Sequence, residues 1–322
     1  MEINSLALRR ADGEPSRTST VKNRTMNLSR LAALGCVSLV AAVSSAPVSA
    51  ATKAFPNATP AIAPTFSEDA ALAAAVAGPQ RAAANRARDG VRKPVEALTF
   101  WGLQPGDVVI DLQPGGGYWT EILAPYAKAT GGRYVAGLTD LDNPKLSESA
   151  RKGRANFLAK YADASVWGKV EATNFGGVSG ALAPAGSVDL ILTAREIHNW
   201  IPGGYLDKAM ADIAAALKPG GVLAVEDHRA DPRPMRPDAS DGYVNEQAVI
   251  AAAEKAGLKL DARSELYANP KDSKDHPFGV WTLPPTRASA PSGQPENPAF
   301  NHAKYDAIGE SDRMTLRFRK PG

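Results

Sequence analysis

The sequence predicts a doubly wound α/β domain built around a mostly parallel sheet. Three observations carry this. Val108-Val109-Ile110-Asp111-Leu112 is an apolar run without alternation, the pattern of a strand covered on both faces. Helix-compatible stretches separate this run from the later ones, which requires crossovers and therefore parallel strands. The first run leads into Gly115-Gly116-Gly117, a turn whose missing Cβ atoms let backbone pass close to a neighbour.

In chain order, helix-compatible sequence follows the first strand over residues 118–128. A second strand, 133–138, comes after Gly131-Gly132. A polar helix over 147–161 leads to a short strand at 169–171, and the next apolar run is 188–193. Over 206–217, Leu206, Met210, Ile213 and Leu217 recur four, three and four residues apart, which places them on one helix face. Lys218-Pro219-Gly220-Gly221 breaks that helix before a strand at 222–225. A helix over 244–256 ends at Gly257, and strands at 258–266 and 314–319 finish the chain. Two Pro-rich connections, 230–242 and about 269–312, have the length of lids or binding segments. No internal repeat is evident.

Composition narrows the function classes. With 44% hydrophobic and 22% charged residues among 322, wholesale disorder is excluded. The one cysteine, Cys36, excludes a disulfide framework and a Cys-rich zinc or iron–sulfur site. Residues 1–50 hold six basic and three acidic side chains, which leaves 31 of each sign in the rest. That neutral body gives no support to a nucleic-acid surface.

The N-terminus reads as an address. From Met26, Arg30 precedes the apolar run 31–43, and small residues follow up to Val48-Ser49-Ala50. This is the order of a secretory signal peptide with cleavage expected after Ala50, since a cut after Ala46 would abut Pro47. A largely apolar run of thirteen residues is short for a bilayer span. The expectation is a periplasmic or secreted protein without an integral membrane segment in its mature chain, and with Met26 as its start. Residues 51–80, rich in Ala, Pro and Thr, are expected to be a linker with room for one helical turn, with the folded domain over 81–322.

In open α/β sheets, ligands lie beyond the carboxyl ends of the strands, beside turns such as 113–117. The helix start behind that turn offers N–H groups to a carboxylate. A turn needed only for packing is the plainer reading. A dinucleotide site fits poorly, because its third glycine would fall at Thr120, and no Gly-Lys-Ser/Thr is present for a P-loop.

Asp111-Leu112-Gln113-Pro114-Gly115-Gly116-Gly117-Tyr118 resembles the first motif of class I S-adenosylmethionine-dependent methyltransferases, and Leu217-Lys218-Pro219-Gly220-Gly221-Val222-Leu223 resembles that superfamily's turn into its fifth strand. More narrowly, the chain is similar to a poorly characterised bacterial family of predicted methyltransferases, often with signal peptides. Arg92-Lys93-Pro94, the run 114–125, Arg195-Glu196-Ile197-His198-Asn199-Trp200, Glu226-Asp227-His228-Arg229, Asn269-Pro270-Lys271-Asp272 and Asp312-Arg313 carry that similarity. The resemblance implies a Rossmann-like, seven-stranded sheet and S-adenosylmethionine as cofactor. It also implies that Asp111, Gly115 and Gly117 line the methionine and ribose portions. By the same resemblance Asp140 would take the ribose hydroxyls, Asn174 would meet the adenine, and Gln113 and Arg195 would belong to the cofactor site. Gln113 stands where the superfamily usually has glycine, and Pro114 after it predicts an extended backbone there.

Methyl transfer to oxygen or nitrogen needs the acceptor's proton removed. His198, after the 188–193 strand, has the unperturbed pKa suited to that work. Asp227 and His228, at the end of the next strand, share the same sheet edge and are candidates to orient the substrate. Two histidines and a carboxylate are also a metal-ligand set, while an ion pair with Arg229 or Arg195 is the plainer account; no metal is assigned. Asp272, Asp275, His276 and Trp281 are expected on a segment that closes over a small-molecule substrate, with Tyr118 and Trp119 as aromatic wall. Two readings stay open beside the methyltransferase: an exported, non-catalytic binding protein on the same fold, and a metal-assisted enzyme using His198, Asp227 and His228.

Overall fold

A computed structural model describes residues 69–322 apart from 233, 235 and 237. The expected export signal, and the linker as far as residue 68, lie outside the described residues. The strands are β1 (Val108–Leu112), β2 (Arg133–Thr139), β3 (Val170–Phe175), β4 (Val188–Ala194), β5 (Leu217–His228), β6 (Lys259–Ser264), β7 (Pro277–Val280) and β8 (Arg313–Arg319). The helices are α1 (Ala70–Ala77), α2 (Ala83–Arg86), α3 (Asp89–Arg92), α4 (Pro94–Trp101), α5 (Thr120–Thr130), α6 (Glu148–Lys160), α7 (Ala164–Trp167), α8 (Ile197–Trp200), α9 (Leu206–Ala216), α10 (Glu246–Lys255) and α11 (Ala303–Ile308).

Seven strands form one sheet in the order β3–β2–β1–β4–β5–β8–β6. The pairs β1–β2, β1–β4, β2–β3 and β4–β5 are parallel, and β8 runs antiparallel between β5 and β6. Strand order reverses between β1 and β4, so a crevice opens beyond their carboxyl ends.

Successive strand residues point to opposite faces, and each face carries its own core. Ile110, Leu112, Ile191, Leu223 and Val225 pack with Met210 and Ile213 of α9 and Val249 of α10. Val109, Leu190, Leu192 and Ala224 pack with Leu98 and Trp101 of α4 and Ile122 and Leu123 of α5. Each valine, leucine, isoleucine or methionine among them, fully withdrawn from water, contributes about 1.5–3 kcal/mol. The amphipathic spacing in α9 is thus what holds β4 and β5 in place at the site.

Three features depart from the sequence expectation. Folded structure reaches back to residue 69, inside the stretch expected as linker. Asp69 caps α1 by accepting from the Ala71 and Leu72 N–H groups, and Tyr126 donates to its other oxygen at 2.6 Å. Leu72 and Ala75 are buried, yet an alanine-rich helix shows almost no periodicity. The breaker at 218–221 ends α9 but lies within β5, where a register shift between Val188 and Leu190 absorbs the turn. Finally, the run 269–312 contains β7 and α11 and returns the chain antiparallel as β8, a pairing that needs no crossover helix.

Candidate functional site

Asp111 is the fourth residue of β1 and is 1% exposed. Its Oδ2 accepts from Tyr134 at 3.0 Å, while Oδ1 has no partner among the described residues. Burial pushes its pKa up to about 7. Gln113 follows with φ +50, left-handed rather than the extended backbone that Pro114 predicts. Two bonds hold it there: its N–H donates to Gly137 O at 2.8 Å, and its Oε1 accepts from Trp200 Nε1 at 2.6 Å. Left-handed backbone is what glycine adopts freely, so the turn keeps the conformation a glycine there would allow.

The three glycines differ. A Cβ on Gly116 would meet nothing within 4 Å, and one on Gly115 would reach only Gln113 O at 4.0 Å, so both face open crevice. A Cβ on Gly117 would lie 1.8 Å from the Tyr161 hydroxyl. Gly117 therefore permits a close approach of α6 to the turn, and its missing side chain faces protein rather than crevice.

At the end of β2, Asp140 is 2% exposed; Oδ1 accepts from the Asp142 N–H at 3.0 Å and Oδ2 is unpartnered. Asn174 lies inside β3 rather than after it, and its amide donates to Asp142 Oδ2 at 3.1 Å. That bond ties down the loop after β2. Between the glycine turn, Leu138, Thr139 and Phe157 of α6 runs an open cavity of about 350 Å3. A smaller one, about 80 Å3, lies on the other side of the turn against Arg92, Asp111, Tyr118 and Arg195.

The ends of β4 and β5 bring His198, Asp227 and His228 together, all buried, with one ligating atom from each within 4.8 Å of the others. His198 Nδ1 lies 2.9 Å from Asp227 Oδ1. The carboxylate also accepts from the N–H groups of Ile197 and His228, both at 2.7 Å, and of His198 at 3.3 Å. Four donors saturate Asp227, which makes it an orienting group and leaves the two imidazoles as the free donor atoms. With Nδ1–H directed at Asp227, His198 Nε2 carries the lone pair. His228 Nδ1 pairs with Ser311 Oγ at 2.6 Å, and the two rings lie 5.2 Å apart.

Burial disfavours the His198 imidazolium, but the Asp227 charge and hydrogen bond outweigh it, so the His198 pKa is raised. Burial and the nearby cations His198 and Arg195 hold His228 well below the usual histidine range. Two imidazoles side by side are thus driven apart in protonation, the arrangement that separates an acid–base group from a neutral partner. Both line a cavity of about 220 Å3 with Trp281, Pro284 and Pro285 as its outer wall. Trp281 takes the predicted place over the site, its ring 5.9 Å from His198. Asp272 and His276 do not reach it: they pair at 2.8 Å, and Asp272 also accepts from Tyr243 and the Asp312 N–H, fastening the Pro-rich segment to β8. Asp275 is exposed. Tyr118 and Trp119 are both buried, and Tyr118 donates to Asp89 at 2.7 Å.

Sequence reasoning left two groups without a role. Glu196 lines all three cavities; burial pushes its pKa up to about 7, and Asn199 donates to it at 3.1 Å. Its place next to Arg195 in the run 195–200 was the available signal. The second group is a set of arginines beneath the site. Arg88 and Arg92 approach Glu310 at 2.6 and 3.8 Å, and Arg313 pairs with Glu226. Arg92 lies over the Tyr118 ring at 4.5 Å, and desolvation brings its pKa down to about 10.

No family model matches the chain, and no curated protein does. Among solved structures, similarity is found to a SAM-dependent methyltransferase from Aquifex aeolicus, at 21% identity over 56% of this chain and 86% of that one, with a TM-score of 0.41. An S-adenosylmethionine-dependent methyltransferase from Mesorhizobium loti matches at 14% identity over 70% and 97%, with a TM-score of 0.40. A third match is the Burkholderia thailandensis 1,6-didemethyltoxoflavin-N1-methyltransferase with bound 1,6-didemethyltoxoflavin and S-adenosylhomocysteine, at 16% identity over 79% and 80%, TM-score 0.40.

Proposed function

We propose that this chain is an exported S-adenosylmethionine-dependent methyltransferase acting on a small-molecule or envelope acceptor. One observation carries the reading: two buried carboxylates flank the glycine turn at the switch point, each with one oxygen that no protein group satisfies, Asp111 Oδ1 and Asp140 Oδ2. A buried acceptor without a donor costs about 1–3 kcal/mol, so a ligand that brings hydroxyl or ammonium donors to both places is favoured. The ribose and the amino-acid end of S-adenosylmethionine carry those donors. Gly115 and Gly116 supply the open backbone between them.

When bound, the cofactor supplies an electrophilic methyl group on a sulfonium. The protein's part is to hold the acceptor and remove its proton. His198 Nε2 takes the proton, and Asp227, fixed by four donors, stabilises the imidazolium that results. His228 stays neutral and hydrogen-bonds the acceptor from the neighbouring wall. Trp281, Pro284 and Pro285 exclude water on the outer side. The signal-like segment at 26–50 supports export to the periplasm or medium.

The test follows transfer of a labelled methyl group from S-adenosylmethionine to periplasmic small molecules and envelope fractions. His198→Ala is expected to lower turnover by about 10²–10⁴-fold, the usual contribution of a general base, with S-adenosylhomocysteine affinity unchanged. Undiminished turnover in that variant would remove His198 from the chemistry.

A further inference from the structure

Arg195 lies two residues before the His198 helix turn and has φ +64, a left-handed backbone that a side chain of this size rarely adopts. Its N–H is anchored on Glu226 O at 2.7 Å. The guanidinium makes no hydrogen bond or ion pair among the described residues, and its Nε is buried without a partner. Nearby carboxylates are already engaged. Glu226 pairs with Arg313, and Glu310 approaches Arg88, Arg92 and Arg313. Four guanidinium groups therefore stand around two carboxylates. The Glu226 and Glu310 charges reach Arg195, but neither bonds to it, and a sunken cation without a hydrogen-bonded anion is favoured when one joins it.

Arg195 also shares the 220 Å3 cavity with His198 and His228. Resting on the methyltransferase reading of that cavity, we propose that the methyl acceptor is a small hydroxy acid, whose carboxylate pairs with Arg195 while its hydroxyl meets His198 Nε2. Arginine suits a carboxylate because its planar fork gives two parallel charge-assisted bonds. The cavity is smaller than the roughly 300–1,000 Å3 of sites for drug-sized ligands, which limits the acid to one ring or a few carbons. Transfer balances: the hydroxyl proton passes to His198 Nε2, the oxygen–methyl bond forms, and the sulfonium carbon–sulfur bond breaks to leave a neutral thioether.

The test titrates the full chain with 4-hydroxybenzoate, lactate and their uncharged amides, with and without S-adenosylhomocysteine. The two arms separate this inference from cofactor binding itself. At least one acid is expected to bind about ten- to hundred-fold more tightly than its amide, the usual worth of a charge-assisted pair. Arg195→Gln should collapse that ratio to near one with unchanged circular dichroism, and Arg195→Lys should restore part of it. Equal binding of acids and amides overturns the inference, as does no acid binding at about 10 mM, roughly the weak limit for a specific ligand. If Arg195→Gln weakens S-adenosylhomocysteine instead, the guanidinium serves the cofactor carboxylate and the acceptor assignment is wrong.

Discussion

Gly117 and Gly116 are adjacent, yet the structure gives them opposite roles, and a pair of substitutions separates these. Gly117 has φ +85, and its substituent would lie 1.8 Å from Tyr161 Oη. Tyr161 cannot simply swing aside: it is 1% exposed and its ring packs at 4.8 Å on Phe157 and 5.1 Å on Trp167. Gly117→Ala must displace that hydroxyl by more than an ångström, an overpacking cost of about 1–3 kcal/mol. The left-handed backbone adds about 1–2 kcal/mol for any residue with a Cβ. Together these predict a loss of about 2–5 kcal/mol, read from urea unfolding midpoints. Gly116→Leu adds a side chain where nothing lies within 4 Å. Its stability should stay within about 0.5 kcal/mol of wild type, while it fills the crevice and removes S-adenosylhomocysteine binding. A Gly117→Ala variant as stable as wild type, or a Gly116→Leu variant that binds normally, would refute this division.

Three other outcomes are expected. Gln113→Ala should cost about 1–3 kcal/mol by leaving the buried Trp200 Nε1 without its acceptor, and Gln113→Gly should cost less because it relieves the left-handed strain; chemical denaturation gives the order, and the reverse ranking contradicts the account. Since Asp227 raises the His198 pKa against the lowering by burial, activity should rise with pH through a limb above 6.5, and Asp227→Asn should move the limb to lower pH. A limb that stays in place would separate the dyad from the rate. His228 is held well below 6.5 in the folded state, so below pH 6.5 the unfolded chain binds a proton that the native state refuses. Stability of the wild type relative to His228→Asn should then be about 1.4 kcal/mol lower at pH 5.5 than at pH 7.5, measured by paired melts at those two pH values. Parallel pH profiles would count against a neutral, buried His228.

Much of the sheet was legible: β1 and β4 are largely buried and read as apolar runs, and β2 and β8, which carry polar positions, still fall within a residue or so of the segments that predict them. The N-terminal helices α1 and α4 were not, since alanine and a short aromatic stretch carry no clear period. The antiparallel placement of β8 depends on a non-local pairing across residues 265–312, which no local pattern encodes. At the site, strand ends brought Asp111, His198, Asp227 and His228 to one edge as expected from chain order alone. Three local environments were hidden, each because the residue meets a partner that sequence does not reveal: Gly117 meets Tyr161, Asn174 meets Asp142, and Gln113 meets Trp200. The unpaired state of Arg195 was equally hidden, because it depends on Glu226 and Glu310 being engaged by arginines far away in the chain.

The most direct check of the central reading is a calorimetric titration of the folded full chain with S-adenosylhomocysteine. The account predicts a dissociation constant in the micromolar range, near −8 kcal/mol, and a loss of about ten-fold or more in Asp140→Ala, where the unpartnered Oδ2 is removed. Absence of binding at about 1 mM ligand, little more than −4 kcal/mol, would contradict a cofactor site at the glycine turn.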